Sequence, residues 1–167
     1  METRRLSLIA MLSSLSFVGR MMFTFLPNVQ PTTVIILIVS MYLGTYDGWL
    51  VAIISILISN LYLGMGVWTL AQIVSFSVLI LIVHICKKIN LSIGYYPIVA
   101  LLMGFTYGFI ISLVQAPFFG WVSFLPYWIS GLPYDLNHAV GNYLFFIILH
   151  PPLSRILKNQ KKKILIR

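Results

Sequence analysis

The sequence predicts an all-α, polytopic membrane protein, a bundle of six transmembrane helices with both termini in the cytoplasm. Three observations lead there. Of eleven basic and three acidic residues, only Arg20, Asp47 and Asp135 lie away from the chain ends and the Lys87-Lys88 pair. Hydrophobic residues make up 60% of the chain and charged ones 8%, against roughly a quarter charged in soluble domains. Each basic cluster also flanks apolar sequence on the scale of one bilayer crossing, about 20 residues. A charge at mid-bilayer costs about 3 kcal/mol on insertion scales, so this distribution is what lipid demands of a chain and water does not.

The first segment, about Leu6 to Leu26, stops at Pro27-Asn28. Arg4 and Arg5 before an apolar run resemble a signal peptide, but Arg20 interrupts the run and no small-x-small cleavage site precedes Pro27. It reads as a retained helix. Segment two, about Thr32 to Leu43, and segment three, about Trp49 to Leu63, form a helical hairpin across Gly44 and Tyr46-Asp47-Gly48. Gly64-Met65-Gly66 breaks the chain before segment four, about Trp68 to Cys86, which stops at Lys87-Lys88. Segment five runs from about Pro97 to Ala116, after a polar stretch at Asn90, Ser92 and Gly94. Pro117 to Pro133 holds three prolines, two glycines, Trp121 and Trp128. It reads as a semi-ordered loop or interfacial helix outside the spans. Segment six, about Tyr134 to Leu149, is followed by Pro151-Pro152. The chain thus divides into one six-helix transmembrane domain, residues 1–152, and a basic cytoplasmic tail, residues 153–167.

Counting crossings from a cytoplasmic Arg4-Arg5 places Lys87-Lys88 and the tail inside as well, as the positive-inside rule requires. The three connections that follow segments one, three and five then share the external face, which carries most of the loop aromatics and amides. The net charge of +8 is explained by these anchors, so the partner expected of it is a lipid bilayer and not nucleic acid.

Cys86 is the only cysteine, which excludes an intrachain disulfide and a cysteine-based metal site. No metal or cofactor is expected. Intramembrane hydrolases need several acids, often with a metal, or a serine on a strained turn beside a histidine. Here Asp47 and Asp135 fall at opposite membrane faces, while His84 and His150 lie near the cytoplasmic ends. The expectation is a protein without catalytic residues; the rival from another class is an intramembrane enzyme using Asp135 and His138, and a third is a scaffold held by small-residue stripes.

Asp135, His138 and Asn142 are spaced by three and four residues and share one helical face. Lipid is a costly neighbour for such groups. They form either a ligand-contacting wall or a helix cap at Asp135 with two side chains satisfied by neighbouring helices. One Asp and one His are too few for catalytic zinc. Arg20, toward the external half of segment one, either meets an anion or amide in a cavity or anchors the first loop. The external connections add Asn28, Gln30, Asn60, Trp68, Gln72 and Gln115. Converging amides and aromatics suit a polar organic molecule, although Trp68, Trp121 and Trp128 also suit an aromatic belt. Ala10 with Ser14 and Gly104 with Gly108 are small pairs at four-residue spacing that permit close helix approach, internal or toward a partner.

Three stretches carry a resemblance: Gly19-Arg20 with Pro27-Asn28-Val29-Gln30-Pro31-Thr32-Thr33; Ser59-Asn60-Leu61-Tyr62-Leu63-Gly64-Met65-Gly66-Val67-Trp68-Thr69 with Gln72; and Leu132-Pro133-Tyr134-Asp135-Leu136-Asn137-His138-Ala139-Val140-Gly141-Asn142. Together with six helices they resemble the substrate-binding S components of energy-coupling factor (ECF) vitamin transporters. The resemblance implies a protein of the bacterial cytoplasmic membrane that captures a water-soluble vitamin at its external face. It implies as partners a transmembrane coupling subunit and two cytoplasmic ATPases. The motifs look most like the cobalamin-type branch, with the pantothenate-type branch as competitor; a carboxylate ligand should recruit a cation, and Arg20 is the one within the spans. S components carry an Ala-x-x-x-Ala docking stripe on the first helix, and Ala10 and Ser14 occupy those positions. No Walker motif is present, so ATP hydrolysis would belong to another chain.

Overall fold

The computed structural model describes residues 3–165, and every regular element among them is helical. The order is α1 (Thr3–Met22), α2 (Thr32–Tyr42), α3 (Thr45–Leu63), α4 (Val67–Lys88), α5 (Tyr96–Phe119) and α6 (Phe124–Leu165), with single 3-10 turns at Ile93–Tyr95 and Trp121–Ser123. All but α2 are long and apolar enough to cross a membrane, which makes this a candidate multi-pass membrane protein.

The placement of α2 follows from its composition. A helix that is apolar on all sides has no face to give to water and belongs inside. Thr32 through Ser40 are all buried, and α2 packs on α1, α3, α4, α5 and α6. Its 11 residues rise about 16 Å, half of a ~30 Å hydrocarbon core. The other helices ring it. Their outward residues, such as Leu15, Leu61, Leu81, Leu102 and Ile148, are large, apolar and exposed, the surface that lipid and not water would cover.

Helices α5 and α6 form an antiparallel hairpin whose backbones nearly touch. A Cβ on Gly104 would collide with the backbone of Ala139, and one on Gly108 with the carboxylate of Asp135. The Gly104/Gly108 pair is therefore internal packing.

This hairpin settles one open reading and overturns another expectation. Pro117 to Pro133, read as a semi-ordered loop or interfacial helix, is no loop: α5 continues through Pro117 to Phe119, Gly120 turns the chain at φ 93°, and α6 starts at Phe124. Pro126 falls in the first turn of α6, where its missing N–H would have no helical partner anyway. Nor do Pro151-Pro152 end the last helix. α6 runs for 42 residues with Pro133, Pro151 and Pro152 inside it, about 63 Å. Residues expected to form a tail beyond position 152 extend the bundle, with Leu153 and Leu157 in the hydrophobic core. In lipid a helix keeps its backbone bonds because nothing else can satisfy them, so a proline there forfeits one bond without ending the ladder. The first helix begins earlier than read from sequence, at Thr3, and closes earlier, at Met22.

The two ends of the bundle differ in charge. At one end Arg5 pairs with the buried Asp47 carboxylate at 2.6 Å, Lys87 Nζ donates to the Ser40 carbonyl at 3.2 Å and the Lys158 ammonium lies over Tyr42. His84 and His150 meet Thr45 and Tyr42 at this end. Asp135 belongs to the other end, together with a cavity.

Candidate functional site

That cavity, a cleft open to the end of the bundle, holds about 500 Å³, within the range of small-molecule sites. Each wall comes from a different element. Arg20 stands in the last turn of α1 and its Nη1 donates to Ser59 Oγ on α3 at 2.6 Å. Asn28 and Gln30 come from the connection after α1. Asn28 holds a left-handed backbone, φ 61°, a conformation asparagine tolerates better than most residues. Its Nδ2 donates to the Tyr134 carbonyl at 3.1 Å, and Asn137 Nδ2 donates back to the Pro27 carbonyl at 3.4 Å. These two bonds stitch the first connection to α6.

Trp68 and Gln72 come from the start of α4. Trp68 Nε1 donates to the Gly64 carbonyl at 3.3 Å, and its ring lies over Gly66, where a Cβ would collide with it. Gln72 is oriented from behind: Asn60, buried, donates through Nδ2 to Gln72 Oε1 at 2.7 Å and to Thr69 Oγ1 at 2.9 Å. With its oxygen engaged, the amide of Gln72 offers Nε2 as a donor. Gln115 is the complement: its Nε2 donates to the Ile111 carbonyl at 3.4 Å, so Oε1 is available as acceptor.

Asp135 is buried on the α6 wall. It lies eleven residues past the first residue of α6, so it is not the helix cap that Pro133-Tyr134 suggested. The face it shares with His138 and Asn142 exists as read, and all three are buried on it, but only Asp135 reaches the cavity. Steps of three and four residues descend about 5 Å each along a helix. His138 thereby falls inside the bundle, where its Nε2 pairs with Thr33 Oγ1 at 2.8 Å and its ring meets Tyr107 edge-on. Asn142 lies one turn deeper. Among the described residues no hydrogen bond joins Asp135 to His138.

Other expected contacts also lie off the wall. Asn60 supports Gln72 from the second rank. Trp121 is exposed at the tip of the α5–α6 hairpin. Trp128 packs edge-on against Phe109 of α5 and stacks with Phe124, so its ring is partly buried among these side chains and does not line the cavity. Ala10 and Ser14 lie on the exposed face of α1, where the Ser14 hydroxyl donates to the Ala10 carbonyl at 2.9 Å; the pair contributes nothing to packing inside this chain.

Tyr107, Gly108, Ile111 and Ser112 on α5, and Tyr127, Ser130, Gly131 and Tyr134 on α6, line the cavity without having been singled out as ligand contacts. Stepping back from Gln115 by three and four residues reaches the α5 set, so the helical period held that signal. The α6 set, apart from Tyr134, falls in the proline-rich segment expected to be a loop or interfacial helix outside the spans, where no helical period could be followed from Asp135. A smaller chamber of about 300 Å³ lies under Phe119 and Phe124 and shares Ser112, Gln115 and Tyr127 with the first.

The site therefore offers a cation, a carboxylate, paired amide donor and acceptor, phenolic hydroxyls and an apolar annex. That equipment is chemically suited to a polar organic molecule. No protein-family profile, curated protein or solved structure matches the chain.

Proposed function

We propose that this chain is the substrate-capturing S component of an ECF-type importer, which takes a water-soluble vitamin from outside the cell. The observation that carries the reading is the cavity at the end of the bundle opposite the basic residues, walled by Arg20, Asn28, Gln30, Gln72 and Gln115. By the positive-inside rule the Arg5, Lys87 and Lys158 end is cytoplasmic, so the cavity faces outward, both termini are inside and α2 makes the sixth crossing with help from the non-helical residues before it. The volume of about 500 Å³ favours a ligand the size of pantothenate over a whole corrinoid, which would extend beyond the open mouth, and Arg20 on the wall supports a ligand bearing an oxyanion. Both vitamins remain in the reading, cobalamin on the strength of the sequence resemblance and pantothenate on the strength of the cavity.

In this reading the chain makes and breaks no covalent bond. A coupling subunit docks on the exposed Ala10/Ser14 face of α1, and two ATPases supply the energy for presenting the vitamin to the cytoplasm. Calorimetry on the purified protein in detergent, titrated with pantothenate and with cobalamin, tests it. Saturable binding of one of them with Kd below about 1 μM is expected; heats of dilution alone for both would refute capture.

A further inference from the structure

Two oppositely charged groups share the cavity without meeting. Arg20 projects from α1 and Asp135 from α6, and the ion pair recorded among the described residues is Arg5 with Asp47. Opposite charges withdrawn from water attract strongly when they touch, so holding them on separate walls leaves each in need of a partner. Arg20 satisfies part of its guanidinium on the neutral Ser59 hydroxyl through Nη1, which leaves the Nε and Nη2 fork, the geometry that grips a carboxylate or phosphate. Asp135 is 4% exposed, and its Oδ2 has no hydrogen bond among the described residues. A buried acceptor in that state is costly unless a ligand supplies a donor. Gly108 shows that the carboxylate occupies a made place: the carboxylate lies where the Cβ of any other residue at 108 would be.

We propose that the ligand is bipolar, with an oxyanion seated on Arg20 and a hydrogen-bond donor seated on Asp135, and that Gly108 is the positioning residue that admits the Asp135 carboxylate. This rests on the capture reading and adds to it the chemistry of recognition. The oxyanion has two sources: the carboxylate of pantothenate, which also brings hydroxyl donors, or the phosphodiester of cobalamin, whose ring periphery brings amide donors.

The test pairs each vitamin with an analogue lacking the anion, pantothenate with panthenol and cobalamin with cobinamide, and titrates both pairs into the wild type and into Arg20→Gln, Asp135→Asn and Gly108→Ala. For whichever vitamin binds, its anion-free analogue should bind at least tenfold more weakly to the wild type. Arg20→Gln should abolish that preference, and Asp135→Asn should weaken both members of the pair about tenfold while keeping it. Gly108→Ala should reproduce the Asp135→Asn pattern, and melting temperatures in detergent identify any variant whose loss reflects unfolding. Equal binding of vitamin and analogue by the wild type, or an Asp135→Asn protein that binds both as the wild type does, overturns the two-pole proposal and leaves capture standing. Binding of no probe by the wild type overturns capture and the proposal with it.

Discussion

Arg5 and Asp47 make an ion pair at the basic end, and they illustrate what one residue can do in this bundle. Both the Nε and Nη2 of Arg5 donate to Asp47 Oδ1, at 2.8 and 2.6 Å, and the Asp47 side chain is 6% exposed. Asp47 also falls in the first turn of α3, where the helix dipole favours an acid. Removing the arginine strands a buried charge, a change that costs about 3 kcal/mol in such pairs. Arg5→Ala should therefore lower the melting temperature in detergent clearly, whereas Arg4→Ala, whose Nη1 donates only to the exposed Lys163 carbonyl, should leave it within error. At the opposite end Asn60 acts through Gln72. Asn60→Ala should weaken ligand binding about tenfold, consistent with the ~1.4 kcal/mol of one lost orienting bond, and Gln72→Ala should add little more in the double variant; titration of the three variants checks the coupling. At this scale the sequence was informative where polarity is rare: an arginine or an amide in apolar sequence announces itself. It was silent on Tyr107, because a tyrosine in an apolar helix looks the same whether it faces a core, lipid or a ligand.

The elements divide by the same logic. α2 was legible because Val34 to Val39 is an unbroken apolar run, the centre of nine consecutive buried positions, and the hairpin of α2 and α3 was legible from Gly44 and Asp47. The α5–α6 hairpin was not. Proline and glycine end helices in water because the freed carbonyls find solvent; in an apolar bundle where neighbouring helices enclose the chain that exit is narrower, and Pro133, Pro151 and Pro152 stay within one helix. Close approach at Gly104 then lets α6 press its polar face on α5. Gly104→Leu should separate the pair at a cost of about 1–3 kcal/mol, the range for overpacked cores, and should lower both melting temperature and ligand affinity, since α5 and α6 each supply a wall of the cavity. Pro151→Ala should be tolerated or slightly stabilising, as it restores a backbone donor inside a helix already formed; thermal unfolding in detergent distinguishes the two variants.

As a whole, the molecule is a polarised cylinder: basic and anchoring at one end, concave and hydrogen-bonding at the other. The polarity of the residues along α6 repeats it, with Asp135, His138 and Asn142 buried toward the cavity end and Phe146, Leu153 and Leu157 buried toward the basic end. Capture at an outward-facing cavity is the claim that joins these observations. Gly131 permits a direct test, since it lines the cavity and has open space where a Cβ would be. In a Cys86→Ser background, which removes the native cysteine, Gly131→Cys should react with a membrane-impermeant maleimide added to intact cells, and saturating pantothenate or cobalamin should suppress that reaction. Labelling that requires permeabilised cells, or labelling that neither vitamin slows, would contradict the account.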